Sequence, residues 1–194
     1  MAAKRSSQVI LQEGEFYTIA APNGKVLEVA NYNMDNGAAI PLWDYAGHPW
    51  QQWTFVESGD GEYRIKNRFT GKVIDLMMSG VVEGTWLHQW ARNSGASQRW
   101  KLEETRGGRV RIRSVLANKC IDLVGLNTRN GARAQIWLDV QGGNQEWKLT
   151  RVDIRETDAV PMQDLQAKAA EAHRRRQAEM VEKIGGKNSK GKKK

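Results

Sequence analysis

The chain has 194 residues, of which 40% are hydrophobic, and its formal net charge is +8 at pH 7. It contains one cysteine, so no intrachain disulfide can form, and no apolar stretch is long enough to cross a membrane. Residues 1–8 lack the apolar core of a secretory signal, so we expect a cytoplasmic protein, or a nuclear one because of its basic C-terminal tail.

A repeat of 47 residues organises most of the chain. The tripeptide Gln-x-Trp occurs three times at this spacing, ending at Trp53, Trp100 and Trp147. A glycine, a second tryptophan and a Lys-containing turn before a short apolar run keep the same register. Such copies indicate a fold in which no single copy buries its apolar face alone. The repeats are predicted at residues 13–58, 59–104 and 105–150.

Short strands are predicted throughout the repeats, after a flexible leader at residues 1–12. In the second repeat, alternating or apolar runs separated by turn residues predict four strands, at 63–67, 73–76, 87–90 and 98–102. Twelve short strands in three copies favour an all-β, closed barrel with pseudo-threefold symmetry, because closure leaves no edge strands exposed. The first strand of the first repeat is one residue out of register, which indicates a one-residue insertion or deletion.

The interior of this barrel is predicted from the repeated apolar positions. The Gln-x-Trp tryptophans and the residues two positions further on alternate as one buried strand face. These residues are Trp53, Phe55, Trp100, Leu102, Trp147 and Leu149. Cys120 takes the place that Val26 and Val73 have in the other repeats, so we predict a small buried residue with no catalytic role.

The pattern changes after residue 150. Residues 151–186 are predicted to form a linker and a helix that begins near Pro161 and runs over 162–184, which is rich in helix-forming residues. Residues 187–194 are rich in lysine and are predicted to be disordered. This basic end would attract a polyanion such as RNA or an acidic protein tail, so residues 174–194 are a candidate contact for such a partner.

The three Gln-x-Trp repeats, each with a second tryptophan in mid-repeat and an acidic residue after a Lys-containing turn, resemble the ricin B-chain type lectin family, the R-type β-trefoil lectins. The resemblance covers residues 13–150. It implies an all-β fold, a β-trefoil of three four-stranded repeats, followed here by a C-terminal helix and a basic tail. It also implies a non-enzymatic lectin that binds glycans of the galactose or N-acetylgalactosamine type, without cofactor or metal.

The resemblance implies a main carbohydrate site in the third repeat. In the family, an Asp accepts hydrogen bonds from sugar hydroxyls, and a ring fifteen residues later stacks on the pyranose. A Gln two residues before the ring and an Asn before the motif Gln add polar contacts. The third repeat has every one of these residues at the family's spacing. They are Asp122, Gln135, Trp137 and Asn144, with Gln145 as the motif Gln.

The second repeat carries a weaker or altered version of this site. Asp75, Trp90 and Gln98 are present, but His88 replaces the Gln and Ser97 replaces the Asn. The third repeat's amide contacts are therefore only partly reproduced.

The first repeat is predicted to be structural. Its residues at the matching positions are Glu28, Pro41, Trp43 and Trp50, and a proline has no amide side chain to offer. A structural interpretation also remains open for the acidic residues and mid-repeat tryptophans of all repeats. In that case the trefoil is a sugar-silent interaction scaffold, anchored by its basic C-terminal extension in a ribonucleoprotein or cytoskeletal assembly.

Catalysis and metal binding find little support in the sequence. The three histidines lie in different contexts, and the single cysteine cannot form a zinc cluster. Asp75 and Asp122 are single carboxylates in their repeats rather than a paired acid and base. We therefore expect no enzyme activity.

Overall fold

Twelve β-strands form in the computed structural model, which describes residues 11–154, 161–171, 174, 175 and 178. The first repeat contributes β1 Tyr17–Ala20, β2 Val26–Leu27, β3 Leu42–Trp43 and β4 Trp53–Glu57. The second contributes β5 Glu62–Asn67, β6 Val73–Leu76, β7 Leu87–Trp90 and β8 Trp100–Glu104. The third contributes β9 Val110–Ser114, β10 Cys120–Leu123, β11 Ala134–Trp137 and β12 Lys148–Arg151.

The first and last strands of each repeat build a closed barrel. Antiparallel pairing runs from β12 to β1, β4, β5, β8 and β9. A bridge between Val110 and Trp147, the residue directly before β12, then joins β9 back to β12. Six strands therefore form a ring without an open edge, as the repeat pattern predicts.

The two middle strands of each repeat form a hairpin, and the three hairpins cover one end of the barrel. They are the pairs β2–β3, β6–β7 and β10–β11. Isolated bridges join neighbouring hairpins, at Ala39–His88, Trp86–Gln135 and Pro41–Arg133. A six-stranded barrel with three such hairpins is a β-trefoil, which confirms the predicted fold. His88 and Gln135 thus lie where two repeats meet.

The Gln-x-Trp tryptophans form the centre of the core, as predicted. Trp53, Trp100 and Trp147 are fully buried. Their indole N–H groups donate to main-chain carbonyls on the hairpin strands, at 3.0, 3.2 and 3.1 Å, on Leu27, Ile74 and Ile121 respectively. Each of these carbonyls belongs to the residue just before the acidic position of its repeat. Each core tryptophan therefore fixes the position of the acidic residue of its repeat relative to the core.

The remaining core confirms the alignment of the repeats. Ile19, Ile65 and Ile112 are all fully buried, although the first interval between them is 46 residues and the second is 47. A one-residue offset in the first repeat is therefore absorbed before β2. Cys120 is buried, as predicted, and burial raises the pKa of its thiol to about 11.

Both ends of the trefoil extend slightly beyond the predicted boundaries. The main-chain N–H of Gln12 donates to the Tyr17 hydroxyl at 2.8 Å, and Leu11 packs against the core. After β12, the Val152 N–H donates to the Phe16 carbonyl at 2.8 Å. Residues 11 and 12, predicted as part of a leader, are thus part of the domain.

A helix follows at residues 162–171, directly after Pro161, and residues 174, 175 and 178 are also helical. It lies against the trefoil: the Gln166 side chain donates to the Phe69 carbonyl at 2.6 Å, and Ala169 is buried. In the described part of the chain, no helix has the length and apolarity needed to cross a membrane. Most of the predicted polyanion contact at 174–194, and the whole predicted tail at 187–194, lie outside the described residues.

Candidate functional site

The predicted third-repeat site is assembled by one hairpin and one turn. Asp122 on β10 lies directly opposite Gln135 on β11. Because side chains alternate along a strand, Trp137 points to the same side of β11 as Gln135. A short 3-10 turn, Gly143–Gln145, then brings Asn144 beside Asp122. The structure therefore brings all the predicted third-repeat residues together.

Asp122 is held by three amide side chains. Its Oδ1 accepts from Gln135 Nε2 at 3.1 Å, and its Oδ2 accepts from Asn144 Nδ2 at 2.5 Å and Gln145 Nε2 at 3.0 Å. A carboxylate has about four acceptor positions, so about one is left for a ligand. Each amide nitrogen has two hydrogens, so Gln135 and Asn144 each keep one N–H to donate. The cluster thus offers both an acceptor and donors to a hydroxyl-bearing ligand.

The electrostatics of this cluster are set by burial. Asp122 is only 4% exposed, and burial raises the pKa of its carboxyl above the usual range. Hydrogen bonds from the three amides lower that pKa, but they offset only part of the effect of burial. The named hydrogen-bond donors to Asp122 are neutral. An oxygen acceptor surrounded by neutral donors suits hydroxyl groups better than a charged ligand.

Trp137 supplies an aromatic surface next to this polar cluster. Its side chain is 39% exposed, as is Trp90, while Trp43 is 43% exposed. The ring is positioned by the neighbouring repeat, where Gly84 has a left-handed φ of +83° and donates its N–H to the Ile136 carbonyl at 3.0 Å. A Cβ at Gly84 would lie 4.0 Å from the ring edge of Trp137. The other two repeats reproduce this arrangement, so each tryptophan rests on a glycine turn from another repeat.

A cavity of about 420 Å³ connects these groups, within the usual size for a small-ligand site. Asp122, Gln135 and Asn144 give it a polar wall, and Trp137 gives it an aromatic one. Aliphatic residues also line it, namely Leu123, Val124, Leu126 and Val140, together with Gly125. The cavity is thus amphipathic.

The motif glutamines support the acidic residues of their repeats. Gln145 is fully buried; its Nε2 also donates to the Leu138 carbonyl at 2.7 Å, and its Oε1 accepts from the Val140 N–H at 3.0 Å. Gln98 makes the matching contacts in the second repeat. Each of these side chains therefore links the acidic residue of its repeat to the main chain of the loop that follows the second hairpin strand. That Gln145 and Gln98 belong to the carbohydrate-binding sites stays a prediction.

The second-repeat site keeps the position of Asp75 but not the ring of amides. Gln98 Nε2 donates to Asp75 Oδ2 at 3.0 Å, whereas His88 Nε2 lies 3.9 Å from the same oxygen. Burial raises the pKa of Asp75, but polar contacts with His88, Gln98 and Ser97 together outweigh it, so the net shift is downward. His88 is itself buried, with its ring 5.2 Å from that of Trp90. The second repeat therefore lacks the amide contacts of the third, and its role as a weaker sugar site stays a prediction.

The first repeat contains a cavity that the sequence pattern did not reveal. Its volume is about 620 Å³, larger than that of the third repeat. Glu28 lies in its wall and accepts one hydrogen bond, from Gln51 Nε2 at 2.9 Å, and burial raises the pKa of Glu28 to about 7. Pro41 has no side-chain donor, and Trp50 is stacked under the ring of His48 at 4.1 Å. At the positions of Gln135 and Asn144 the first repeat thus has no amide side chain, although Asn31, Asp44 and Arg133 also line this cavity.

One feature of the sequence could have indicated this cavity, namely the cluster of aromatic residues in the loops of the first repeat. Tyr32, Trp43, His48 and Trp50 all line it. The rings of Tyr32 and His48 both pack against that of Trp50, with centroids 4.9 and 4.1 Å apart. Among the described residues, no group of three or more His, Cys, Asp or Glu side chains is arranged to hold a metal ion.

Several solved structures are similar to this chain. The designed threefold-symmetric protein ThreeFoil is 30% identical, with a TM-score of 0.68, over 72% of this chain and 99% of its own. The exo-β-1,3-galactanase 1,3Gal43A of Clostridium thermocellum is 34% identical, with a TM-score of 0.71 over 74% of this chain. This chain spans only 31% of that enzyme. The ricin B-like lectin of Macrolepiota procera, solved with lactose, is 22% identical, with a TM-score of 0.64 over 74% of this chain and 99% of its own.

Family membership follows from the sequence directly. Comparison with curated proteins gave no match. Residues 8–90 and 96–160, however, match the family described as ricin-type beta-trefoil lectin domain-like, and together they make up most of the chain. The matched segments contain all three repeats except residues 91–95, and every candidate carbohydrate-binding residue. The chain therefore belongs to the ricin-type β-trefoil lectin domain-like family.

Proposed function

We propose that this protein is a non-enzymatic lectin for glycans of the galactose or N-acetylgalactosamine type, with its main site in the third repeat. The observation that carries the proposal is the amide-held carboxylate of Asp122 beside the exposed ring of Trp137. In this proposal, Asp122 accepts a hydrogen bond from a sugar hydroxyl, Gln135 and Asn144 donate, and Trp137 stacks on the pyranose.

The chemistry of a sugar matches this arrangement. A pyranose carries neighbouring hydroxyls around its edge and a patch of C–H groups on one face. Adjacent hydroxyls need an acceptor and donors close together, which the Asp122 cluster supplies at 2.5 to 3.1 Å. The C–H patch needs a flat apolar surface, which Trp137 supplies. The third repeat combines both groups around one cavity.

The choice of galactose as the first sugar rests on the family and on one neighbour. The Macrolepiota procera lectin was solved with lactose, which contains galactose. The third repeat has the same residue types as the family's galactose-type sites, at the same spacing. The second repeat is proposed as a weaker site built on Asp75, His88 and Trp90.

The test is a glycan array with the full-length chain, followed by calorimetry on the best ligand. Trp137→Ala should lose most of the binding, because the stacking surface is gone while the polar cluster remains. Trp43→Ala is a matched control: the ring has similar exposure and a similar glycine contact, at 3.8 Å from a Cβ at Gly131. Trp90→Ala should remove only the contribution of a weaker second site.

The outcomes separate the proposal from a structural role. Equal losses in all three variants would mean that these rings support the fold rather than the ligand, which circular dichroism would show independently. An array without signal from well-folded protein would reject the lectin function and leave the trefoil as an interaction scaffold.

A further inference from the structure

Three of the four aliphatic side chains that line the third-repeat cavity are left exposed by the fold. Leu126 is 68% exposed and Val140 is 59% exposed, yet both line the cavity together with Val124. Single exposed hydrophobic residues are common on protein surfaces. These three, the aliphatic rim, line one cavity of about 420 Å³ together with a polar cluster, and so form an amphipathic site instead.

The rim is held in place relative to Asp122. The turn Val124–Leu126 follows β10 directly, and Leu126 has a left-handed φ of +57°, a strained conformation for a branched residue. On the other side of the cavity, the Val140 N–H donates to Gln145, whose amide also binds Asp122. The distance between the polar cluster and the aliphatic rim is thus fixed before any ligand arrives.

The other repeats show that the fold does not need aliphatic residues here. The same left-handed turn carries Tyr32 in the first repeat and Ser79 in the second, at φ values of +47° and +53°. At the position of Val140, these repeats have Ala46 and Asn93. The repeat with the complete set of Asp122 partners is therefore also the one with the aliphatic rim.

We propose that the third site binds a glycoside whose aglycone is apolar, such as an alkyl chain on the anomeric oxygen. This inference rests on the proposed lectin function. The sugar occupies the Asp122 cluster and the Trp137 ring, and the first carbons of the alkyl chain lie against Leu126 and Val140. Burying about two methylene groups on this rim corresponds to roughly tenfold tighter binding. At the positions of Leu126 and Val140, neither of the other repeats has a branched aliphatic side chain.

Calorimetry on the full chain tests this with three probes: methyl β-galactoside, hexyl β-galactoside and hexan-1-ol. The hexyl galactoside should bind roughly tenfold more tightly than the methyl galactoside, and the alcohol should not bind measurably. Equal affinities for the two galactosides would overturn this inference and leave the lectin function intact. Hexanol binding as tight as that of the hexyl galactoside would also overturn it, since the sugar would then play no part. Failure of both galactosides would reject the proposed function, and this inference with it.

A pair of variants tests whether the aliphatic rim causes the tighter binding of the hexyl galactoside. Leu126→Ser and Val140→Asn introduce the residues that the second repeat already has on the same backbone, so the fold should accept them. Combined, they should bring the ratio of hexyl to methyl affinity close to one. Met78→Ser is the control, because Met78 is exposed on the matching turn of the second repeat and should leave the ratio unchanged. An unchanged ratio in the double variant would place the alkyl chain elsewhere and refute the assignment.

Discussion

Glu28 makes the stability of this protein depend on pH in a way that one substitution should remove. Its carboxyl is buried and accepts one hydrogen bond, from Gln51, and burial raises its pKa from 4.5 to about 7. Between these pH values the folded chain holds a proton that the unfolded chain has lost. The free energy of unfolding should therefore fall as pH rises through this window, by at most about 3 kcal/mol.

Glu28→Gln replaces the carboxyl with a neutral side chain of the same shape. At low pH the variant should match the parent, because both side chains are then neutral. At about pH 8 the variant should be the more stable protein, by up to about 3 kcal/mol, because it has no buried charge to form. Urea unfolding followed by tryptophan fluorescence, at intervals from about pH 4.5 to about pH 8, measures the difference.

The comparison of variants isolates Glu28 from other groups. Burial also raises the pKa of Asp122, so the pH dependence of the parent's free energy of unfolding contains contributions from both carboxyls. The difference in free energy of unfolding between the parent and Glu28→Gln contains only the contribution of Glu28. Glu57→Gln, at the exposed end of β4, controls for the loss of one acidic residue and should follow the parent. Parallel curves for the parent and Glu28→Gln would show that Glu28 is already ionised in the fold, which would refute the burial argument.

Three further substitutions test the framework of the site. Trp100→Ala should lower the free energy of unfolding in urea by about 3 to 5 kcal/mol, because a fully buried indole leaves a cavity; a loss below about 1 kcal/mol would contradict its place in the core. Gly84→Ala should cost about 1 kcal/mol from its left-handed backbone and leave sugar binding measured by calorimetry nearly unchanged, because the new methyl would make only ordinary contacts, 3.8 Å from Gln135 Oε1 and 4.0 Å from the ring edge of Trp137. Gln145→Leu should lower the free energy of unfolding by about 1 to 3 kcal/mol and also lose sugar binding, since Asp122 loses a buried hydrogen-bond donor. Unchanged sugar binding would mean that Asp122 keeps its position without the hydrogen bond from Gln145.

The sequence was sufficient for the fold because its repeat restricts the solutions. Three copies that share buried positions at Trp53, Trp100 and Trp147 must arrange them around one axis, and the short strands leave closure as the way to avoid edges. The same periodicity brought Asp122 and Gln135 together, because opposite positions on a hairpin follow from strand alternation. Their assignment to sugar binding stays a prediction until a ligand is measured.

What the sequence did not reveal depends on turns and on hydrogen-bond direction. The spacing of Gln145 is the same whether its amide faces a ligand or faces inward, and only the folded 3-10 turn shows that it points to Asp122 and the Leu138 carbonyl. The first-repeat cavity was missed because its walls are loop residues such as Tyr32 and His48. Loop conformations are not fixed by periodicity, so a cavity between them cannot be read from spacing.

The three acidic positions show how one backbone supports three different environments. Each carboxyl follows a carbonyl bonded to a core tryptophan, and each is tethered by a motif Gln, so their positions are equivalent. Their pKa values nevertheless shift differently: that of Glu28 rises to about 7, that of Asp75 falls, and that of Asp122 rises. Burial raises all three, and the differences follow from the surrounding polar side chains: His88, Gln98 and Ser97 outweigh burial at Asp75, whereas the amides around Asp122 and the single amide at Glu28 do not. The shared core sets only the position of each acidic residue, so the side chains around it can change in one repeat without disturbing the other two. In the third repeat, the amide donors and the aliphatic rim occur together.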